Sequence, residues 1–102
     1  MKFLVLLTPM AGKSQEEFAP HAISETIAVW SAYSAGHLRE FYFSPDPVIV
    51  TLIYELPDHA AVARELDSLP MVKAGLLDRQ IVALGPLPQF AVLFDKSLVG
   101  TS

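Results

Sequence analysis

Cysteine is absent from this chain of 102 residues, and charged side chains make up only 18% of it, against roughly 25% in average soluble domains. The missing thiols exclude a disulfide framework, a thiolate metal site and a cysteine nucleophile, and they suit a cytoplasmic protein. The three histidines, His21, His37 and His59, lie far apart and lack metal-ligand spacing. Glycine-rich phosphate-binding loops are also missing. We therefore expect neither a metal nor a cofactor.

Long hydrophobic runs and basic clusters are missing too. The longest stretch without a charged residue runs from Gln80 to Phe94, and two prolines interrupt it, whereas a membrane-spanning helix needs about 20 apolar residues. We interpret the apolar segment 1–7 as a first strand, because it contains a single cation and no small-residue cleavage site follows it. With a net charge of −4 and no cluster of lysine or arginine, neither a membrane nor a nucleic acid is an expected partner.

Apolar residues, in contrast, are abundant and account for 52% of the chain. A chain of this length buries only about 60–70% of its unfolded surface when it folds alone. We therefore expect a homo-oligomer, a dimer or a larger assembly, in which a second copy covers part of the apolar surface.

The spacing of apolar residues and the positions of turn-forming residues predict the order β-α-β-β-α-β. The predicted elements are strand 2–8, a long helix from Ser14 to Gly36, strand 37–43, strand 48–55, helix 59–69 and strand 80–84, with 89–94 as a candidate fifth strand. A capping-box pattern at Ser14 and Glu17 begins the long helix, and Gly36 ends it. This order is typical of an α+β, ferredoxin-like sandwich. We expect one domain, 1–102, with a C-terminal extension at 86–102 that subunits could exchange.

The predicted sheet is apolar on both faces, although both helices would cover only one of them. The simplest arrangement that covers the second face is a second subunit, packed sheet to sheet. The sequence therefore predicts a dimer of this kind.

The long helix carries a candidate acid/base residue. Its apolar stripe, which we expect to face the core, consists of Ala19, Ile23, Ile27 and Trp30. Ala22, Val29 and Tyr33 widen the stripe on one side, and Glu25 lies at the rim of this widened stripe. In an apolar pocket its pKa would rise, and it could then act as a general acid/base. The alternative is an ordinary solvated carboxylate.

The second strand carries a candidate anion-binding residue. Alternation places Leu38, Glu40 and Tyr42 on one face, and Arg39, Phe41 and Phe43 on the other. The Arg39 guanidinium could hold a substrate carboxylate or an enolate in a fixed fork. A structural ion pair is the alternative.

Four further residues are candidates for contact with a substrate. Trp30, Tyr33 and Tyr42 could form the walls of a small apolar pocket between the long helix and the sheet, although such aromatic residues can also serve packing alone. His37 begins a strand and could titrate near neutral pH beside a substrate. Its alternative is a plain surface position.

A sparse pattern connects these residues: Glu25 on the first helix, Gly36 at its end, Arg39 three residues later, and the Leu69-Pro70 pair before the last strand. The pattern resembles the muconolactone isomerase-like family of dimeric α+β barrel proteins over about residues 1–88. The resemblance implies a dimeric barrel and a cofactor-independent isomerase or cyclase, in which Glu25 shuttles a proton and Arg39 holds the enolate or carboxylate.

The run from Pro70 to Gly75 is also similar to the YciI-like branch of the same superfamily. That branch pairs a helix histidine with an aspartate, and here those two positions hold Glu25 and Leu69. The resemblance therefore does not extend to the YciI-like mechanism.

Two departures from the muconolactone isomerase-like pattern predict a more apolar pocket. Leu4 and Leu6 stand where that family carries a histidine and a lysine, and Gly85 stands where it carries the histidine of a His-Pro pair. We therefore expect a small apolar carbonyl compound or lactone as the ligand. Two alternatives to an isomerase stay open, namely a non-catalytic dimeric ligand-binding or accessory module and a cofactor-free oxygenase of the same fold.

Overall fold

Residues 1–94 are described by the computed structural model, and they form one antiparallel sheet with helices on one face. The four strands are β1 (Lys2–Pro9), β2 (Leu38–Pro45), β3 (Val48–Glu55) and β4 (Leu77–Leu84), in the spatial order β2-β3-β1-β4. The helices are α1 (Gln15–Phe18), α2 (Ala22–Ser34), α3 (His59–Asp67) and α4 (Pro70–Lys73), with short 3₁₀ segments at Ala19–His21 and Pro88–Phe94. The predicted α+β, ferredoxin-like order is confirmed. The fifth strand predicted at 89–94 is wrong, because that segment is a 3₁₀ turn.

Local signals in the sequence set where the helices begin and end. The Glu17 carboxylate accepts a hydrogen bond from the Ser14 N–H at 2.8 Å, and Asp58 caps α3 by accepting one from the Ala61 N–H at 2.8 Å. Gly36 follows α2 with φ of 82°, a left-handed conformation that glycine adopts without steric cost. Within residues 1–94, every helix is too short or too polar to cross a membrane.

The core lies between the helices and one face of the sheet, which we call the inner face. Phe3 and Val5 of β1 and Tyr54 of β3 pack there against Val62 and Leu66 of α3, and all five side chains are buried. Burial of this kind is the main stabilising contribution to such a fold.

The opposite, outer face of the sheet is also partly apolar. Leu4 and Leu6 of β1 point to this face, and Leu4 pairs in register with Ile53 of β3 and with Val82 of β4. These four side chains are half-buried or exposed in the single chain. Sheet-to-sheet pairing with a second copy therefore stays a prediction.

The apolar stripe of α2 does not face the core, contrary to the prediction. Ile23, Ile27 and Trp30 are between 60% and 78% exposed. The helix packs instead through Ala28 and Ala32, together with Val29 from the widened side of the stripe. Apolar residues occupy most of the circumference of α2, so periodicity alone does not single out its buried side. The alanines allow the helix to lie close to the sheet, and the bulkier residues are left outside.

A register shift in β2 also changes the predicted alternation. Leu38 pairs with Tyr54 and Glu40 pairs with Ile53, so two steps along β2 match one step along β3. Arg39 is the additional residue of this β-bulge. Leu38 is therefore buried on the inner face, to which the exposed Phe41 and Phe43 also point, instead of sharing the face of Glu40 and Tyr42.

Candidate active site

A cavity of about 690 Å³ lies between α2 and the inner face of the sheet. This volume lies within the range of small-molecule sites, about 300–1,000 Å³. Its walls are mainly apolar and include Leu7, Val29, Phe41, Phe43 and Leu52. Polar side chains reach it at few points, namely Lys13, Gln15, Glu25 and Thr26. The cavity can therefore enclose an apolar compound that has one or two polar groups.

Glu25 projects from α2 into this cavity and also contacts α4. Its Oε1 accepts a hydrogen bond from the Met71 N–H at 2.9 Å. Met71 lies in the first turn of α4, where backbone N–H groups have no partner inside the helix. The Glu25 carboxylate thus caps α4 from a helix 46 residues earlier in the sequence.

Burial raises the pKa of Glu25 above its ordinary value, while the Met71 N–H and the positive charge of His21 oppose this rise. The cause is that an apolar environment disfavours the charged form of a carboxyl group. A carboxyl group with a raised pKa is a better proton donor and acceptor near neutral pH. The structure therefore places a carboxyl group with a raised pKa against an apolar cavity.

Of the three predicted aromatic residues, one lines this cavity, a second lies behind its wall, and the third is elsewhere. Trp30 lines it. Tyr33 lies beside Trp30 with a ring-centroid distance of 5.4 Å, and its ring meets Phe41 edge to face at 5.3 Å. Tyr42 points to the outer face of the sheet, where its hydroxyl donates to the Glu40 carboxylate at 2.8 Å. The β2 register thus separates Tyr42 from the cavity.

Arg39 and His37 are not brought to Glu25 within the chain. The bulge turns Arg39 into solvent, where its Nε donates to the Gly36 carbonyl at 2.8 Å. Through its Nδ1, His37 instead forms a hydrogen bond with the Glu65 carboxylate of α3. It lines a second, shallower hollow of about 400 Å³ together with Arg64 and Ser68. The expected meeting of Glu25 and Arg39 in one pocket is therefore not found in the single chain.

Sequence reasoning missed Lys13 and Met71. Lys13 follows Gly12, whose φ of 82° turns the loop after β1 toward the cavity. Among residues 1–94, no carboxylate lies within ion-pair distance of the Lys13 ammonium. Met71 participates through its backbone, which side-chain patterns do not reveal. The only available signal was Pro70, a typical first residue of a helix.

Leu4 and Leu6 do not make the cavity apolar, although their departure from the family pattern predicted that effect. They point to the outer face, whereas Leu7 of the same strand lines the cavity. The residues that do make it apolar come from β2, β3 and α2. As for metals, the part of the chain covered by residues 1–94 holds no group of three potential ligands.

No protein-family model matches the chain, and no curated protein matches it by sequence. Solved structures do match. A 5-chloro-2-hydroxyhydroquinone dehydrochlorinase from Burkholderia phenoliruptrix, in complex with 2,5-dihydroxybenzoquinone, superposes with a TM-score of 0.71 at 15% identity. The match covers 87% of this chain and 98% of that one.

The crystal structure of muconolactone isomerase superposes with a TM-score of 0.69 at 18% identity, covering 86% of this chain and 92% of that one. The chain has the muconolactone isomerase-like fold. The family resemblance inferred from Glu25, Gly36, Arg39 and Leu69-Pro70 is thereby confirmed at the level of the fold. At this identity, the likeness carries no activity with it.

Proposed function

We propose that the chain is a cytoplasmic, cofactor-independent enzyme that moves a proton on a small, mostly apolar carbonyl compound or lactone, as an isomerase, cyclase or lyase. The observation that carries this proposal is the placement of Glu25. Its carboxyl group lines an apolar cavity of small-molecule size and has a raised pKa. The solved structures that share the fold of this chain include an isomerase and a dehydrochlorinase, which supports the same class of chemistry.

In the proposed reaction, the Glu25 carboxylate takes a proton from the carbon next to the substrate carbonyl. The C–H electron pair moves toward the carbonyl oxygen, and an enolate forms. The protonated Glu25 then returns the proton to another carbon of the conjugated system, which moves the double bond. The hydrogen bond from the Met71 N–H to Oε1 fixes the position of the carboxylate during both steps.

Negative charge that develops on the substrate requires a cation or a hydrogen-bond donor. Lys13 is a cation that lines the cavity, and we assign this role to it within one chain. The predicted role of Arg39 requires a second copy or a rearrangement of β2, because its guanidinium bonds to Gly36 outside the cavity.

The test is solvent deuterium exchange into a panel of enolisable ketones and butenolide lactones, followed by proton NMR. Glu25→Gln should reduce the exchange rate by about 10²–10⁴-fold, because the amide cannot accept the proton. The Gln oxygen can still accept the bond from the Met71 N–H, so the fold is kept. Glu16→Gln, the same change at an exposed position of α1, is the matched control. Equal exchange by the wild type and Glu25→Gln would refute the proposal.

A non-catalytic ligand-binding module is the second candidate, and the cap on α4 favours it. A carboxylate that satisfies the Met71 N–H already has a structural reason to occupy its position. For a module, Trp30 fluorescence should respond to cavity ligands equally in the wild type and Glu25→Gln, with no deuterium exchange in either. A carboxylate in the cavity argues against the cofactor-free oxygenase, for which we expected an apolar pocket without one.

We also propose that a second copy covers the outer face of the sheet. Leu4, Leu6 and Ile53 support this proposal, because they leave an apolar strip in the middle of that face. Such a strip is typical of a surface that packs against another sheet.

A further inference from the structure

Residues 11–20 form one side of the cavity and are here called the α1 segment. They comprise the loop after β1, helix α1 and the first residues of the 3₁₀ turn that follows it. Lys13, Gln15 and Phe18 of this segment line the cavity, and the remaining lining residues belong to the strands, α2 and α4. The cavity thus has a wall that belongs neither to the sheet nor to the long helix that covers it.

Few contacts hold the α1 segment to the rest of the fold. Phe18 is half-buried, and every other residue of the segment is exposed. Within residues 1–94, the hydrogen bonds of the segment stay inside it or join it to the adjoining chain, as from the Lys13 N–H to the Met10 carbonyl at 3.3 Å. A segment with little buried surface and only local hydrogen bonds opens at a low cost in free energy, while the core stays folded.

Both ends of the α1 segment have a backbone that can pivot. Gly12, near its start, adopts φ of 82°, and a Cβ added there would meet no atom within 4 Å. The fold therefore leaves open space around this glycine, whose backbone reaches many conformations. At the other end, Pro20 lacks an N–H, and a 3₁₀ turn at Ala19–His21 separates α1 from α2. A 3₁₀ interruption between two helices is a typical hinge.

We propose that the α1 segment is a lid, which opens to admit a ligand to the cavity and closes over it through Phe18. Phe18 supports this role because it is the half-buried residue of the segment and its ring lines the cavity. Closure excludes water from an apolar space. It also brings the Lys13 ammonium to the ligand, because Lys13 belongs to the same segment. The lid rests on the cavity alone and does not depend on proton transfer by Glu25.

Trypsin measures the opening of the lid, because Lys13 is the single lysine or arginine between Lys2 and Arg39. A cut after Lys13 requires the lid to open, whereas a cut after Arg79 requires β4 to leave the sheet. The rate of each cut follows the population of the open form when closing is faster than cleavage. In the folded full chain, mass spectrometry of the fragments should show the cut after Lys13 at least tenfold faster than the cut after Arg79.

Two substitutions test the hinge and the closing side chain. Gly12→Ala strains the closed lid, because alanine rarely adopts φ of 82°, and Phe18→Ala removes the ring that closes it. Each should speed the cut after Lys13 several-fold. Gly36→Ala, with the same φ of 82° outside the lid, and the apolar replacement Phe18→Leu are the matched controls and should be cut as the wild type. Peptides of residues 8–18 with the same changes correct for the preference of trypsin itself.

A dye then tests whether the lid closes over a ligand. Uncharged phenylnaphthylamine should enter the cavity, which energy transfer from Trp30 reports, and at saturation it should slow the cut after Lys13 several-fold. The proposal is overturned if the dye-saturated chain is cut at an unchanged rate, or if the cut after Lys13 is no faster than that after Arg79. Without any dye, equal rates for Phe18→Ala and the wild type also overturn it. None of these results bears on the deuterium exchange assigned to Glu25.

Discussion

Glu25 caps α4 and has a proposed role in proton transfer, and a pair of substitutions separates the two. Glu25→Gln and Glu25→Ala both remove the charge and the proposed proton-transfer group. Only Gln retains an oxygen that can accept from the Met71 N–H, which Glu25 meets at 2.9 Å. The difference in stability between these two variants therefore contains the cap on α4 and the stem of the side chain, without the cost of burying a charge.

The expected loss of stability follows from the measured effects of removing helix caps in other proteins. Replacing a capping side chain by alanine costs about 0.5–2 kcal/mol, and losing the half-buried stem of the side chain adds a fraction of the about 0.8 kcal/mol assigned to a buried CH₂ group. We expect Glu25→Ala to be less stable than Glu25→Gln by about 1–2 kcal/mol. In a domain of this size, each kcal/mol lowers the melting temperature by about 4–8 °C.

The assay is urea unfolding, followed by circular dichroism at one pH and one protein concentration. The midpoint should shift while the slope stays constant, because the surface exposed on unfolding is unchanged. Glu16→Ala against Glu16→Gln, at an exposed position of α1, provides the matched pair and should differ by far less. If the two Glu25 variants unfold at the same urea concentration, the Met71 contact does not stabilise the fold and the reasoning is refuted.

Three further predictions concern pH, assembly and ligand charge. Burial raises the pKa of Glu25. Its contribution to stability is therefore fully present below the pKa of an ordinary glutamate and is lost as the pH rises through the raised pKa. In urea titrations, the free energy of unfolding of the wild type relative to Glu25→Gln should fall over that pH window. The deuterium exchange should rise over the same window, since it needs the carboxylate. Ile53→Lys, on the outer face, should lower the mass measured by light scattering if that face binds a second copy, and Ser31→Lys on α2 should not. Lys13→Met should weaken binding of the anionic dye anilinonaphthalene sulfonate but not of uncharged phenylnaphthylamine, and equal losses for both dyes would contradict an anion-binding Lys13.

The fold was predictable where local chemistry decides it. Ser14 and Glu17 form their capping contact, Asp58 caps α3, and Gly36 ends α2, each as short-range patterns in the sequence indicate. The order of strands then follows, because few topologies satisfy that sequence of elements. The family resemblance, carried by positions as far apart as Glu25 and Pro70, pointed to the same fold.

The orientation of α2 and the register of β2 were not predictable in this way. The helix is apolar around most of its circumference, so the choice of Ala28 and Ala32 over Ile23 and Ile27 depends on how closely helix and sheet pack. The bulge at Arg39 depends on pairing with β3, and it moves Arg39 away from the site to which strict alternation assigned it. Both features depend on tertiary packing, which the spacing of residues along the sequence does not determine.

The candidate site was predicted in part. Glu25 and Trp30 were identified from their positions on the helix, and both line the cavity. Lys13 was not found, because a loop residue shows no periodicity. The Met71 N–H was not found, because the contact is made by a backbone group and does not depend on the type of residue at this position.

The bond between Glu25 and the Met71 N–H makes the cavity and α4 thermodynamically dependent on each other. A ligand that forms a strong bond with Oε1 competes with the Met71 amide for the same lone pairs, and it therefore loosens the first turn of α4. Such linkage is reciprocal, so a change that stabilises α4 by itself also frees the carboxylate for the ligand. The exchange rate of one backbone amide, that of Met71, would then report how fully the cavity is occupied.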